Sequence, residues 1–199
     1  MKILTVPNPA LRKKSKPIEK IDKKIIDLIK EMAQALKIAR DPEGGALAAP
    51  QVGKFIRLFV ADFDKMKREV IQKVSPKKGF VVFINPAITF RSKETILDVL
   101  PKKNRYLEGC LSIPNFYGFV NRPYKITVQY QTLTSLNNPH SVTQKKEIYE
   151  GLEASFVQHE YDHLDGILFT DLVLAQKGKL YELRKTDKGQ DEFIEVNLE

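Results

Sequence analysis

The sequence feature that most constrains the fold is the segment His159-Glu160-x-x-His163. Apolar residues stand one and two helical turns before His159, which predicts one helix over about Gly151–Leu164 that ends at Gly166. Histidines at positions i and i+4 lie on one face of a helix, so their ring nitrogens can reach one metal ion. Glu160 can then act as a general base toward a water bound to that metal.

A catalytic metal needs three protein ligands and one open coordination position, so the two histidines require a partner. No histidine follows His163, and glutamates after it, such as Glu182, Glu192 and Glu195, lie in a charged tail. Upstream, the only cysteine, Cys110, is either a small buried apolar residue or a thiolate that completes a Cys/His/His set. The remaining histidine, His140, lies in an Asn-Asn-Pro-His turn, where we expect an exposed side chain without a role.

Composition excludes several classes of protein. The 199 residues are 42% apolar and 29% charged, which is typical of a folded globular domain rather than a disordered chain. A single cysteine cannot form an internal disulfide, so the fold does not depend on an oxidising compartment. No apolar run approaches the roughly 20 residues of a membrane span, and the first residues lack a signal-peptide pattern. We therefore expect a cytoplasmic protein without membrane contact.

The net charge of +8 is distributed unevenly along the chain. Residues 1–110 carry +12, whereas residues 111–199 carry −4. Lysine-rich patches such as the segment 65–78 attract polyanions, so they indicate either contact of the basic half with RNA or an ordinary solvated surface. Since no zinc-finger or RNA-binding signature accompanies these patches, we expect no sequence-specific binding of nucleic acid.

Elsewhere the apolar pattern predicts an α+β fold, with short and mostly antiparallel strands around a central metal-binding helix. A first helix is expected from about Asp22, its capping residue, to Ala39, with Ile25, Ile29, Met32 and Leu36 on one face. Tyr124–Thr132 and Lys146–Tyr149 are predicted to pair as a hairpin. Other strands are expected at Lys54–Phe63, Phe80–Asn85, Ala87–Arg91 and Glu94–Leu100, with Asn85-Pro86 as a break. The tail from Lys177 fits a strand, a helix or disorder.

Three motifs follow one another along the chain. The first, from Gly44 to Gln51, reads GGALAAPQ, and the second is Glu108-Gly109-Cys110-Leu111-Ser112. The third is the histidine helix, which begins Gln158-His159-Glu160. Together they resemble the peptide deformylase family, whose motifs are G-x-G-x-A-A-x-Q, E-G-C-L-S and Q-H-E-x-D-H. The resemblance covers about residues 1–175, which we interpret as a single catalytic domain followed by a charged tail at 176–199.

This resemblance implies a hydrolase that removes the formyl group from N-formylmethionyl nascent peptides. It implies one divalent metal ion, Fe²⁺ above all, which Zn²⁺, Ni²⁺ or Co²⁺ can replace. It implies that a metal-bound water attacks the formyl carbon with Glu160 as general base and acid, while Gln51 and the Leu111 backbone N–H stabilise the oxyanion. The metal ligands implied are Cys110, His159 and His163. The residues implied to align the peptide are Gly45, Ala46 and Gly109, and those implied to line the methionine pocket are Leu152, Ser155 and Phe156.

Two departures from the family pattern concern the peptide site. Ala46 replaces the second glycine of the first motif, and it either narrows the cleft or has no effect, depending on its backbone conformation. Asn115-Phe116-Tyr117 stands where some members carry an arginine, so we expect residues beyond the methionine to be recognised differently.

Two other functions stay open at this point. A zinc endopeptidase of the His-Glu-x-x-His type would take its third ligand downstream of His163 and cleave internal peptide bonds. A basic ribosome- or RNA-binding protein would use the metal only structurally, in a closed site with four ligands.

Overall fold

The computed structural model describes residues 1–39, 44–65, 79–136, 141–186 and 189–196. Its strands are β1 (Ala46–Ala48), β2 (Leu58–Asp62), β3 (Phe80–Arg91), β4 (Glu108–Cys110), β5 (Ile113–Gly118), β6 (Lys125–Leu133), β7 (Val142–Glu150), β8 (Leu180–Lys185) and β9 (Asp191–Val196). Its helices are α1 (Lys23–Ile38), α2 (Ile96–Val99), α3 (Gly151–Leu164) and α4 (Phe169–Ala175). Two antiparallel sheets have the strand orders β1-β2-β3-β6-β7 and β4-β5-β8-β9. The predicted α+β class is therefore confirmed.

The five-stranded sheet is covered on both faces, by α1 on one side and α3 on the other. Side chains alternate between the two faces of a strand, and β2 uses both sets for packing. Its Leu58 and Val60 join the apolar cluster around α1, whereas Phe59 and Ala61 join the cluster that includes residues of α3. Burial on both sides explains why this strand is a continuous apolar run rather than an alternating one.

Helix α1 begins and ends within one residue of its predicted bounds. The Asp22 side chain accepts a hydrogen bond from the backbone N–H of Ile25 at 3.1 Å, which satisfies a donor that the first turn leaves unpaired. Ile29, Met32 and Leu36 recur along one face and are fully buried against the sheet. The spacing of these apolar residues thus identified the packed face correctly.

The predicted break at Asn85-Pro86 is wrong, because β3 runs through both residues. Asn85 adopts a left-handed conformation with φ of 48°, and the pairing with β6 shifts register between Ile84 and Ala87. Such a bulge accommodates a proline without ending the strand. The Asn85 side chain also pairs with the backbone N–H and carbonyl of Ile18, both at 2.7 Å, which holds the N-terminal arm against the sheet.

The strand expected at Glu94–Leu100 is also wrong, since this segment forms the short helix α2. The Asp98 carboxylate accepts hydrogen bonds from the backbone N–H and the hydroxyl of Thr95, both at 2.7 Å. A side chain three residues into a helix that bonds back to the capping residue stabilises the first turn. This local pattern determined the conformation despite the apolar residues in the segment.

The tail is a hairpin, β8 and β9, and not a helix. Strand β8 pairs with β5 from Phe116↔Glu182 to Gly118↔Leu180, so the tail extends the second sheet. The division into a catalytic domain at 1–175 and a tail at 176–199 stays a prediction.

The predicted hairpin of β6 and β7 is confirmed, with pairing from Lys125↔Glu150 to Leu133↔Val142. Its tip with His140, and all of the lysine-rich segment after Lys65, lie outside the described residues. Within the described ranges, no helix is both long and apolar enough to cross a membrane.

Candidate metal centre and active site

Helix α3 spans Gly151–Leu164, as predicted, and carries both motif histidines into the interior. Most of its residues are buried, since the five-stranded sheet covers one side and β4 meets the other. Gly166 follows the last turn with φ of 73°. A Cβ atom there would lie 2.4 Å from the carbonyl oxygen of Arg12, so the close approach of the N-terminal arm requires glycine.

Cys110, His159 and His163 converge on one point, with their ligand atoms all within 4.8 Å of one another. The Cys110 Sγ lies 3.2 Å from His163 Nε2, and all three side chains are buried. Bonds of about 2.3 Å to sulfur and about 2.0 Å to nitrogen place tetrahedral ligands about 3.5 Å apart, so this group fits one metal ion. Among the described residues no fourth Cys, His, Asp or Glu joins the group, which suits an open coordination position rather than a closed structural site.

A buried ion-pair network holds the His159 ring through its Nδ1 atom. Its Nδ1 lies 2.9 Å from Glu108 Oε2. Arg122 donates to both oxygens of Glu108, at 2.5 and 3.0 Å, and to Asp162 at 2.8 Å. Because the hydrogen bond to Glu108 occupies Nδ1, the other nitrogen, Nε2, is left for a metal.

The electrostatics of the network favour a charged Glu108 and a neutral His163. Burial alone would raise the pKa of Glu108, but the charge of Arg122 and the hydrogen bonds from His159 and Arg122 hold that pKa below its ordinary value. Burial lowers the pKa of His163 well below its ordinary value, so this imidazole has a free lone pair. Burial opposes protonation of His159 too, yet Cys110 and Glu108 raise its pKa well above the ordinary value. A cation at this site therefore competes with a proton.

Sequence reasoning missed the supporting role of Glu108, Asp162 and Arg122. The two acids belong to the motifs, but nothing in the motifs says which base they pair with. Arg122 lies 14 residues from Glu108 and 40 from Asp162 along the chain, so only the fold brings the three together. The available signal was an acidic residue within each ligand motif, two residues before Cys110 and one before His163.

Glu160 is buried beside the ligand group and lines the adjoining cavity. Its Oε2 has no hydrogen-bond partner among the described residues. Burial is the main cause that raises the pKa of Glu160 to about 7. A carboxylate with a pKa near neutrality and a free oxygen is suited to accept and return a proton.

Gln51 is fixed on the other side of Cys110. Its side-chain Oε1 accepts a hydrogen bond from the Ala48 N–H at 2.7 Å, so the amide nitrogen points the opposite way. That nitrogen lies 3.5 Å from Cys110 Sγ and 3.1 Å from Ser112 Oγ. Gln51 is thus a preorganised donor next to the metal ligands, which is the arrangement that stabilises a developing negative charge.

Leu111 is held in place by the glycine turn. A Cβ atom on Gly44 would lie 2.6 Å from the Leu111 side chain, so the two residues are in direct contact. Both of them line the cavity. The glycine at 44 therefore has a packing reason, in addition to any close approach of a substrate.

A cavity of about 160 Å³ adjoins the ligand group. Its lining includes every residue that the sequence predicted to bind peptide, namely Gly45, Ala46, Gly109, Leu152, Ser155 and Phe156. Ala46 lies in the regular strand β1, so its backbone is extended and unstrained. Tyr106, which the sequence reading did not identify, stacks on Phe156 with ring centroids 6.3 Å apart.

Two strand edges border this cavity. Strand β1 is the last strand of one sheet, β4 is the last strand of the other, and residues of both line the cavity. An unpaired strand edge offers N–H and C=O groups to an extended peptide. The cavity can therefore take a peptide chain between the two sheets.

Comparison with known families gives a match over most of the chain. The family model described as polypeptide deformylase matches residues 1–179. The peptide deformylase of Pseudothermotoga lettingae is 35% identical over 195 residues, which cover 96% of this chain and 95% of that protein. The peptide deformylase of Prochlorococcus marinus is 37% identical over 93% of this chain and 78% of that protein.

Solved structures agree with the sequence matches. A probable peptide deformylase from Synechococcus phage S-SSM7 has a TM-score of 0.66 and 35% identity, over 86% of this chain and 99% of that one. The peptide deformylase of Synechococcus elongatus, solved in complex with actinonin, has a TM-score of 0.66 and 31% identity, over 86% of this chain and 78% of that one.

Proposed function

This chain belongs to the polypeptide deformylase family, and on that premise we propose which of its residues remove the N-terminal formyl group. The enzyme is a metal-dependent hydrolase that acts on formylated nascent peptides. The observation that carries the residue assignment is the convergence of three ligand atoms within 4.8 Å, beside a buried glutamate and one cavity. Family membership decides against a zinc endopeptidase and against an RNA-binding protein as the main function.

The metal ligands in this proposal are Cys110, His159 and His163. A thiolate with two imidazoles suits Fe²⁺ or Zn²⁺, and we propose Fe²⁺ as the native ion, which Zn²⁺, Ni²⁺ or Co²⁺ can replace. When bound, such an ion lowers the pKa of a coordinated water and polarises the formyl oxygen. Metal analysis of protein purified without air should find about one iron per chain, and stoichiometric zinc instead would contradict this choice.

Glu160 is the proposed general base and acid. It takes a proton from the water that attacks the formyl carbon, and it returns a proton to the amine as the carbon–nitrogen bond breaks. The products are formate and a peptide with a free amino terminus. The buried position of Glu160 and its pKa of about 7 support both steps, because the group can hold or release a proton near neutral pH.

Gln51 and the backbone N–H of Leu111 are the proposed donors to the oxyanion. The Gln51 amide nitrogen is directed toward the Cys110 side of the cavity by the hydrogen bond between Gln51 Oε1 and Ala48. Leu111 follows Cys110 directly and packs on Gly44. Donors fixed before the reaction stabilise the negative charge that develops on the formyl oxygen.

The substrate peptide is proposed to lie between β1 and β4 as an added strand. Gly45, Ala46 and Gly109 lie along the two bordering strand edges and would pair with its backbone. Leu152, Ser155 and Phe156 of α3 would surround the methionine side chain. Ser155 is buried in the lining of the cavity, where its side chain lies beside the phenol of Tyr106.

A direct assay tests this proposal. Protein loaded with Fe²⁺ or Ni²⁺ should release formate and a free amine from formyl-Met-Ala-Ser, and should leave acetyl-Met-Ala-Ser, the matched control with a methyl group at the acyl carbon, much less changed. Absence of formate release from protein with about one metal per chain would contradict it.

We also propose that the enzyme works in the cytoplasm, close to the ribosome that supplies its substrate. Lys13, Lys14 and Lys16 are exposed on the N-terminal arm, and the Lys13 ammonium lies over the Phe55 ring at 4.9 Å. A basic surface of this kind favours contact with RNA phosphates. Replacing the three lysines with glutamate should weaken co-sedimentation with ribosomes, whereas the same change at Lys179 and Lys185 should not. Equal co-sedimentation of the two variants would contradict the proposal that this surface contacts the ribosome.

A further inference from the structure

An aromatic contact connects the C-terminal hairpin to the active-site cavity. Phe193 of β9 packs edge-to-face on Tyr117 of β5, with ring centroids 5.3 Å apart and an angle of 88°. Tyr117 lines the cavity, whereas Phe193 lies in a hairpin beyond residue 179, where the family match ends. A segment that lies beyond the family model therefore touches a residue that lines the substrate site.

Tyr117 lies directly over the strand that carries a proposed metal ligand. It is paired with Gly109 of β4, and a Cβ atom on Gly109 would lie 2.6 Å from the Tyr117 ring. The ring thus covers the backbone one residue before Cys110. A peptide that lies along β4 would pass beside this ring after its first residue.

The apolar surface continues from the cavity over the outer face of the tail hairpin. Strand pairing aligns Tyr117 with Tyr181, and Leu183 with Phe193, on that one face of the sheet. Leu107 lines both the cavity and a neighbouring groove that contains Tyr181. Phe193 is 50% exposed, although an aromatic ring of this size usually gains from burial.

We propose that the hairpin of β8 and β9 forms part of the substrate-binding surface, with Tyr117 contacting the residues after formyl-methionine and Phe193 positioning Tyr117. This inference rests on the proposed function of the cavity. The ligand class is formylated peptides with apolar or aromatic side chains in the second and third positions. When such a peptide binds, its side chains would cover the exposed aromatic face and exclude water from it. This burial of apolar surface is the main source of the binding energy.

The effect expected from Phe193 is on specificity and not on chemistry. An edge-to-face aromatic pair contributes enough to change binding by about three- to tenfold. The Tyr117 ring without its neighbour would sample other rotamers and present a less ordered wall to the peptide. The KM for longer apolar peptides should therefore rise, while kcat stays the same.

The experiment compares two substrates, formyl-Met amide and formyl-Met-Leu-Phe, on the full-length metal-loaded enzyme. The quantity compared is kcat/KM for the tripeptide divided by kcat/KM for the amide. Phe193→Ala should lower this ratio by about three- to tenfold, because the KM for the tripeptide rises. Phe193→Tyr, which keeps the ring, should preserve the ratio. Ile194→Ala is the matched control, since Ile194 is the next residue of β9, is 38% exposed and points to the opposite face.

A double substitution provides the second readout. If Phe193 acts through Tyr117, then Tyr117→Ala with Phe193→Ala should lower the ratio no further than Tyr117→Ala alone. An unchanged ratio in Phe193→Ala, or equal losses on both substrates, would overturn the inference. Turnover of formyl-Met amide by the unsubstituted enzyme tests the proposed function separately, so the two failures are distinguishable.

Discussion

The Nδ1 atom of His159 lies 2.9 Å from the Oε2 atom of Glu108, and both side chains are buried. This contact fixes the orientation of the imidazole and selects the nitrogen that faces Cys110 and His163. Arg122 holds the Glu108 carboxylate in turn, through two hydrogen bonds. The ligand group is therefore supported by the charge of Arg122, which lies outside the motifs.

Glu108→Ala should weaken the metal site and the fold together. Loss of the hydrogen bond to a ligating histidine lowers metal affinity by about 10- to 100-fold. Arg122 also loses its buried partner and keeps only the partly exposed Asp162, and breaking a buried pair costs about 3–5 kcal/mol of unfolding free energy. Metal titration and urea unfolding measure the two effects.

The control for Glu108 is Glu195→Ala, at the exposed ion pair of Glu195 with Lys179. Solvent screens such a pair, so neither metal affinity nor stability should change measurably. Equal effects at Glu108 and Glu195 would show that the buried network has no special role.

Gln51→Ala should lower kcat by about 10²- to 10³-fold, because it removes a donor to the developing oxyanion. Metal content should stay near one ion per chain. Ser112→Ala keeps the Gln51 amide and removes only its hydroxyl partner, so its loss should be about tenfold or less. Steady-state kinetics decide, and a raised KM with unchanged kcat in Gln51→Ala would contradict the assigned role.

Gly166→Ala should destabilise the fold more than Gly189→Ala. Both glycines have nearly the same backbone conformation, with φ of 73° and 72°, so both substitutions carry about 1–2 kcal/mol of backbone strain. At Gly166 the new Cβ would meet a backbone, 2.4 Å from the Arg12 carbonyl, whereas at Gly189 it would meet no atom of the described residues within 4 Å. The clash should cost about 1–3 kcal/mol more in urea unfolding. Equal losses would mean that the N-terminal arm moves away freely.

Elements with strong local signals were predictable from the sequence. The bounds of α3 and the face of α1 followed from apolar spacing, and the two motifs with the single cysteine indicated the three side chains that the fold brings together at Cys110, His159 and His163. The failures have local causes that apolar patterns do not show. At Asn85 a left-handed residue lets β3 bulge past a proline, and at Thr95 a capping contact from Asp98 outweighs strand-like composition.

Long-range partners were beyond prediction for a different reason. Arg122 contacts Glu108, and Phe193 contacts Tyr117. The two residues of each pair are separated along the chain, and only the completed sheets bring them together. A charged tail gave no sign that its hairpin would join the sheet of the active site.

Because the chain has a single cysteine, the rate at which a thiol reagent labels it reports on the metal site. In the metal-loaded enzyme, Cys110 should react slowly with a thiol reagent, since it is buried and its lone pair is engaged. Removal of the metal with a chelator should raise the rate of labelling, to one thiol per chain. Identical labelling rates before and after chelation would remove Cys110 from the ligand set.

In the proposed mechanism Cys110, His159 and His163 hold the metal, whereas Glu160 transfers the proton. Glu160→Gln tests this assignment most directly, with metal content and formate release measured on the same preparation. We expect about one metal ion per chain and a kcat lower by about 10²- to 10⁴-fold, the usual contribution of a general base. Loss of the metal, or retention of kcat with the metal bound, would contradict it.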